Sequence, residues 1–332
     1  MGQHINKKIL VTGATGFIGS HLVESLLARG HYVRALAHYR SQGVEGHLSQ
    51  VARQQDSNLE IVVGDVADYG RVRSLVDGVD TVYHLAALIA IPYSYLATES
   101  FLRVNALGAL NVAKACLESG VRRVIHTSTS EVYGTARCQP IDEEHPLQAQ
   151  SPYAASKIAA DKIMESSHLS FGLPVVTVRP FNSYGPRQSA RAIIPAIVTQ
   201  VVTGSKEIRL GALWPERDFT FVKDTVAGFL ALGECEQAVG QVINVGSRQK
   251  ISVGALAQRI VELAGRGTTP IVSTEERYRP TKSEVGLLLA DTSKMRELTG
   301  WEPSVSLDEG LGRTMEYVIA NLDQYRPGTY QL

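Results

Sequence analysis

The chain is poor in the features that mark secreted, membrane-bound or nucleic-acid-binding proteins. Its three cysteines in 332 residues, Cys116, Cys138 and Cys235, are odd in number, far apart and without a C-x-x-C spacing. They predict neither a disulfide framework nor a zinc site, so no metal is expected, and a reducing cytoplasm fits. No apolar run approaches membrane-spanning length, and the polar start leading into a strand at Lys8 lacks the charged-then-apolar pattern of a signal peptide. Charge of one sign is missing too: 33 basic residues balance 33 acidic ones. That balance argues against nucleic acid or a membrane surface as the main partner. Repeats, low-complexity tracts and long linkers are absent. The length suits one large domain or two moderate ones with a proper core.

What is present is an alternation of short buried strands and helical runs. Lys8 to Thr12 (KILVT) reads as a strand, and Gly13-Ala-Thr15-Gly16-Phe17-Ile18-Gly19 follows before a helical run from Ser20 to Ala28. Glycines there let the backbone turn tightly and approach a pyrophosphate, with the amides of a helix N-terminus turned toward it. The next strand, Tyr32 to Ala37, delivers His38, Tyr39 and Arg40 where an acidic residue would hold the ribose hydroxyls of NAD. That absence, with an arginine nearby, places NADP slightly ahead of NAD, although Arg34 and Arg40 read equally well as solvated charges. A third strand, Leu59 to Gly64, delivers Asp65 and Val66 as an adenine contact, with a helix N-cap as the competing role of Asp65. A fourth, Asp80 to Leu85, ends in Leu85-Ala86-Ala87 beside the expected cofactor.

Farther on, an apolar strand at Arg123 to His126 runs into Thr127, Ser128, Thr129, Ser130 and Glu131. A helix then opens near Ser151 and Pro152, carrying Tyr153 and Lys157 four residues apart on one face. A lysine ammonium one turn from a phenol favours the phenolate, bringing a group of free pKa about 10 nearer to neutrality. Such a group takes a proton from an alcohol. Helix packing alone also produces this spacing; the hydroxyls, the carboxylate and the glycine loop are what favour catalysis. Helical runs at residues 105–118 and 154–167 carry apolar stripes, read either as core packing or as the faces of a homodimer.

After the strand Pro174 to Arg179, the turn-rich segment Pro180 to Arg187 leaves the first domain, and Ala192 to Thr203 is an apolar helix. Residues Arg217 to Asp224 lead into a helix, Thr225 to Leu232, that returns to the sheet; a strand at Val242 to Gly246 and a helix at Val253 to Ala264 follow. The expected architecture is α/β: a Rossmann doubly wound parallel sheet from residues 1–180 and 218–248, with a smaller, interleaved C-terminal substrate domain from 181–217 and 249–332. Arg187, Arg217 and Arg279 are candidate clamps for a substrate diphosphate. Asn182 reads as a substrate ligand or a turn cap, Tyr93 and Tyr95 as pocket wall or core, and Ile89, Ile91 and Pro92 as an apolar rim or as buried packing.

Taken together, T-G-A-T-G-F-I-G-S-H-L, G-D-V, H-L-A-A, T-S-T-S-E-V-Y-G, Y-A-A-S-K, R-P-F-N-S-Y-G-P-R and R-D-F-T-F-V-K-D resemble the extended short-chain dehydrogenase/reductase family, over nearly the whole chain. Thr129-Ser130-Glu131 is similar to the nucleotide-sugar 4,6-dehydratases. The runs I-A-I-P-Y-S-Y, G-P-R-Q-S-A-R and R-P-T-K-S-E-V resemble the branch acting on nucleotide-linked N-acetylglucosamine in legionaminic-acid pathways. Ser130 stands where dTDP-glucose 4,6-dehydratases carry an aspartate, and in this resembles the GDP-mannose 4,6-dehydratases, as does the missing acid after the second strand. The resemblance implies a redox-neutral dehydration on tightly bound NAD(P). Tyr153 removes the C4 hydroxyl proton, Thr129 hydrogen-bonds the C4 oxygen, Lys157 holds the nicotinamide ribose, and Glu131 removes the C5 proton as water leaves C6. Without the aspartate, either Glu131 shuttles a proton to the leaving hydroxyl or Ser130 relays one through water. Three readings compete. Nucleotide-sugar decarboxylases of the same family also carry Thr-Ser-Glu, but usually with a different tail after the tyrosine than Ala-Ala-Ser-Lys, and need an arginine at a C5 carboxylate; a C4 epimerase generally has a small uncharged residue where Glu131 stands; a dinucleotide-binding sensor has no use for an acid–base set.

Overall fold

The computed structural model describes residues 6–39, 45–53 and 57–325. Its strands are β1 (Lys8–Thr12), β2 (Tyr32–Ala37), β3 (Leu59–Val63), β4 (Thr81–His84), β5 (Arg123–Thr127), β6 (Val175–Pro180), β7 (Asn182–Tyr184), β8 (Ile208–Leu210), β9 (Glu216–Phe221), β10 (Val242–Val245), β11 (Lys250–Ser252) and β12 (Ile271–Ser273). The helices that matter for the site are α1 (Phe17–Ala28), α2 (Tyr69–Val76), α3 (Gly108–Ser119), α4 (Pro152–Phe171), α5 (Ile193–Val202), α6 (Val222–Glu234), α7 (Val253–Leu263) and α8 (Leu307–Ala320).

Seven strands form a parallel sheet in the order β10-β6-β5-β4-β1-β2-β3. The central strands are apolar on both faces, as sheets covered on two sides must be. Successive residues serve opposite layers: Val11, Ile125 and Val178 pack with Leu22 of α1 and Phe229 of α6, while Leu10, Val82 and Val124 pack with Val76 of α2, Cys116 of α3 and Met164 of α4. The result is the expected doubly wound α/β fold. Its strand order reverses between β1 and β4, opening a crevice at their carboxyl ends.

Two smaller sheets, β11-β9-β7 and β12-β8, are built from the later chain. The stretch 218–248, expected with the large sheet, divides between that sheet and the β11-β9-β7 sheet. Residues 218–221 belong to β9, which pairs with β7 and β11, and the return toward the large sheet begins at Val222, where α6 starts and packs on α1. The expected helix at 105–118 also differs: a π-helical stretch, Leu102–Leu107, precedes α3. Its wider turn accommodates Asn105, whose buried amide bonds Leu88 and Ser156 rather than solvent.

Asp218 fastens the second sheet to the first. Fully buried, it accepts from Ser247 N at 2.7 Å, Ser247 Oγ at 2.6 Å, Arg248 N at 3.0 Å and Ala290 N at 3.2 Å. Asp218→Ala strands three backbone N–H groups, each worth about 1–3 kcal/mol when left unpaired. Urea unfolding of this variant is expected to show a loss of about 3 kcal/mol or more, and a loss below about 1 kcal/mol contradicts the anchoring role.

Candidate active site

The crevice between β1 and β4 is shaped by glycine. Gly13 has φ +68°, and a Cβ there would stand 2.8 Å from Ala86 N; a Cβ at Gly19 would stand 2.2 Å from Gly13 O. The loop Gly13–Gly19 is therefore folded against both the exit of β4 and the first turn of α1. Gly16, the N-cap of α1, brings no side chain to the orphan amides of that turn. Those amides and the bare backbone beside them fit a pyrophosphate. Thr12 Oγ1 accepts from Leu85 N and Ala86 N, both at 3.1 Å, which pins the two strand ends together. Thr15, Phe17, Ile18 and Ala87 line this same stretch of chain.

At the end of β2, His38 lies 3.9 Å from Asp65 Oδ2 and against the ring of Tyr39. Asp65 is not the helix cap: it accepts from Ala67 N, while Asp68 caps α2 through Arg71 N. Val66 is buried and forms a wall against Gly108. Arg34 turns away, bonded to Glu60 and Leu75 O. Arg40 lies outside the described residues.

The catalytic candidates converge at the end of β5. Thr129 starts a 3-10 turn, Ser130–Tyr133, that holds Ser130 and Glu131 buried, with Glu131 N donating to Thr129 Oγ1 at 3.3 Å. The helix α4 is set by Ser151, whose Oγ accepts from Ala154 N, and by Pro152 in its first turn. Lys157 Nζ donates to Thr127 O at 2.7 Å. Burial pushes Lys157 down to about 8. The expected lowering of Tyr153 by Lys157 is not observed. Burial dominates and holds the phenol well above its ordinary value, Glu131 and Asp161 add to this, and a hydrogen bond with Thr129 opposes it.

Two site residues escaped sequence reasoning. Asn105 Oδ1 accepts from Leu88 N at 2.8 Å, and its Nδ2 donates to Leu88 O and to Ser156 Oγ, tying the crevice wall to α4. An asparagine inside an alanine-rich helical run was the available signal, since that side chain favours caps and turns. Glu284 is the other: its Oε1 faces Arg217 at 3.4 Å and Arg279 at 3.5 Å. Arg217 is buried, which lowers its pKa; the neighbouring Arg279 lowers it further, and Glu131 and Glu284 oppose the effect. Arg217, Arg279, Glu284 and Glu131 thus form one charged mouth to the crevice.

Arg187 does not join them. It stands at φ +71° against α1, donating to Glu24 Oε1 at 2.6 Å and Ser20 Oγ at 3.2 Å, so its guanidinium is committed to fastening that helix. Asn182 Oδ1 is buried without a protein partner, which suits a ligand contact better than a turn cap. Tyr95 Oη meets Ser283 Oγ at 2.6 Å and Tyr93 is 43% exposed. Of the apolar rim, Ile91 is core, packed with Phe101 and Tyr153, whereas Ile89 is 64% exposed.

Known proteins resemble this chain in sequence and fold. Residues 10–314 match the family model described as GDP-mannose 4,6 dehydratase. A UDP-glucose 4-epimerase of Mycolicibacterium smegmatis is 33% identical, covering 93% of this chain and 98% of its own. A dTDP-glucose 4,6-dehydratase of an Actinoplanes species is also 33% identical, over 95% and 98%. Among solved structures, DesIV, a dTDP-glucose 4,6-dehydratase from Streptomyces venezuelae with NAD bound, has a TM-score of 0.86 at 29% identity, covering 96% of this chain and 99% of that one. With the glycine crevice, the buried Tyr153–Lys157 pair and a family match spanning both parts of the fold, the chain belongs to the GDP-mannose 4,6-dehydratase family of extended short-chain dehydrogenases/reductases, enzymes of nucleotide-sugar chemistry.

Proposed function

We propose that the chain is a nucleotide-sugar 4,6-dehydratase, making a 4-keto-6-deoxy sugar from UDP- or GDP-linked N-acetylglucosamine. The observation that carries this reading is Glu131, a buried carboxylate close enough to act electrostatically on both Tyr153 and Arg217. An epimerase has no task for a buried base at that point.

NAD or NADP, tightly bound, would supply the hydride acceptor and donor that a redox-neutral dehydration needs. Gly13, Thr15, Gly16, Phe17, Ile18 and Gly19 would hold its pyrophosphate, Leu85, Ala86 and Ala87 would line its other side, and Asp65 and Val66 would meet the adenine. At the ribose, the lack of an acid at the end of β2 supports NADP, with His38 and Arg40 as the ligands; Asp65, 3.9 Å from His38, is the feature opposed to a 2′-phosphate. Tyr153 would take the C4 hydroxyl proton once the positive charge of the oxidised cofactor offsets the burial that otherwise holds its phenol protonated, with Thr129 orienting that oxygen and Lys157 holding the ribose. The C4 ketone acidifies C5–H, Glu131 removes that proton and passes it to the C6 hydroxyl, which leaves as water; return of hydride to C6 is matched by delivery to C5 of one proton, equivalent to the one Tyr153 took from the C4 hydroxyl, and Ser130 lines the same turn. Arg217 and Arg279 take the diphosphate, and Asn182 and Tyr93 contact the nucleotide sugar.

The dinucleotide part then comprises residues 1–180 with the return through α6 and β10, and the remainder is the substrate part. Outward apolar residues Leu107 and Leu110, beside α4, support a homodimer through that helix pair, working in the cytoplasm. A decarboxylase is the second reading, favoured by Arg217 lying near Glu131, where a C5 carboxylate would be met.

Purified protein incubated without added cofactor with UDP- and GDP-N-acetylglucosamine, dTDP-glucose, GDP-mannose and UDP-glucuronate is expected to remove one water from an N-acetylglucosamine donor. Loss of carbon dioxide from the glucuronate instead establishes the decarboxylase, and an isomer of unchanged mass the epimerase. Glu131→Gln and Tyr153→Phe are each expected to lower turnover about 10²–10⁴-fold, the usual range for a lost acid–base group. Retained dehydration in Glu131→Gln removes Glu131 from the mechanism.

A further inference from the structure

One turn beyond Lys157 on the same face of α4 stands Asp161, buried and saturated with donors. Its Oδ1 faces His126 Nε2 at 3.2 Å, and its Oδ2 accepts from Ser128 Oγ at 2.8 Å and from Arg179 Nε and Nη2 at 3.2 and 3.1 Å. Arg179 continues through Nη1 to Tyr133 Oη at 3.0 Å, which donates to Asn244 Oδ1 at 2.8 Å. On the other side, His126 stacks at 5.6 Å on His84, whose Nδ1 meets Thr12 Oγ1 at 2.8 Å. Burial pushes both imidazoles below their ordinary value, so both are neutral at physiological pH. His126 then donates Nε2–H to Asp161 and leaves Nδ1 as a buried nitrogen without a partner.

Such an array is expensive to bury, and an apolar core of the same shape would hold the helix as well. The proton transfers assigned above use none of its members. We infer that Asp161 is a positioning residue for the reaction: its carboxylate, fixed by His126, Ser128 and Arg179, is the counter-charge that keeps Lys157 an ammonium in the dry interior and so in its bond to Thr127 O. The inference rests on reading Tyr153 and Lys157 as the working pair.

The charged and titratable groups that act on Lys157 are Asp161 from α4, His84 from β4 and His126 from β5; Arg179 from β6 reaches it through Asp161, and Glu131 acts on Tyr153, one turn before it. Burial opposes the Lys157 charge, and Asp161 is the group that sustains it. Burial also works against ionised Asp161, but the hydrogen bond from His126, then the charges of Arg179 and Lys157, outweigh it and hold that carboxyl below its ordinary value. The signs follow. Removing the anion favours the neutral amine, so Lys157 titrates lower. Removing the His126 N–H, whose positive end faces Asp161, lets more of the carboxylate field reach Lys157, which then titrates higher.

The test is an NMR titration of Lys157 Cε in the full chain carrying ¹³C-lysine, assigned with Lys157→Met, alongside the pH profile of turnover. Asp161→Asn is expected to lower the midpoint by about one pH unit, the effect of deleting one nearby opposite charge, and to move the alkaline limb of turnover down with it. His126→Leu is expected to move both upward. Midpoints that stay at the wild-type value in variants that unfold at the wild-type temperature overturn the proposal. Should Asp161→Asn fail to fold, His126→Leu decides alone, an upward shift supporting and an unmoved midpoint refuting it. Failure of the underlying reading looks different: Lys157 titrates as expected, yet Lys157→Met turns over normally.

Discussion

A buried ammonium is the constraint to which this structure answers. Lys157 sits beneath the surface with Thr127 O, 2.7 Å away, as its hydrogen-bond partner, and burial, opposed by Asp161, pulls its pKa down to about 8. Holding a charge there requires a carbonyl at the end of β5, a helix whose first turn is fixed by Ser151 and Pro152, and an anion one turn farther on. All three are present because the parallel sheet sets β5 beside β4 and β6 and lays α4 across them. Tyr153 shares the dry environment, and its phenol is held protonated by the same burial that weakens the lysine. The pair is thus poised in opposite senses, the amine easy to deprotonate and the phenol hard.

The second part of the chain completes the site by bringing charge to the crevice mouth. Asp218 locks β9 to the loop after β10, and its neighbour Arg217 is thereby aimed at Glu131 and Glu284. Glu284 gathers Arg217 and Arg279 into one place, which suits a diphosphate with two negative centres. Nearby, Ser283 bonds Tyr95 and Gln150, so the segment carrying Glu284 is fastened to the chain entering α4.

The dinucleotide crevice was legible because each of its parts is local: strand, glycine loop and helix follow one another in sequence, and Gly13 and Gly19 have no other reason to be glycine. Tyr153 and Lys157 were legible through helical spacing, and the strands through apolar runs. What sequence could not supply was long-range. Arg187 carries the same motif credentials as Arg217, yet it is spent on Glu24, 163 residues away. Asp161 and Arg179 look like ordinary surface charges in the sequence, and only the sheet brings them together. The effect of Lys157 on Tyr153 was misjudged for the same reason: spacing gives neighbours, whereas the balance of burial against charge depends on everything packed around them.

The central claim is that hydrogen leaves C4 and returns at C6 of one sugar, with Glu131 acting between. It is tested most directly with UDP- and GDP-N-acetylglucosamine deuterated at C4, without added cofactor, by locating the label in the product. The account predicts one deuterium in the C6 methyl of a 4-keto product from one of the two donors. Deuterium retained at C4 in an inverted sugar, or a 4-keto product whose methyl carries none, would contradict it.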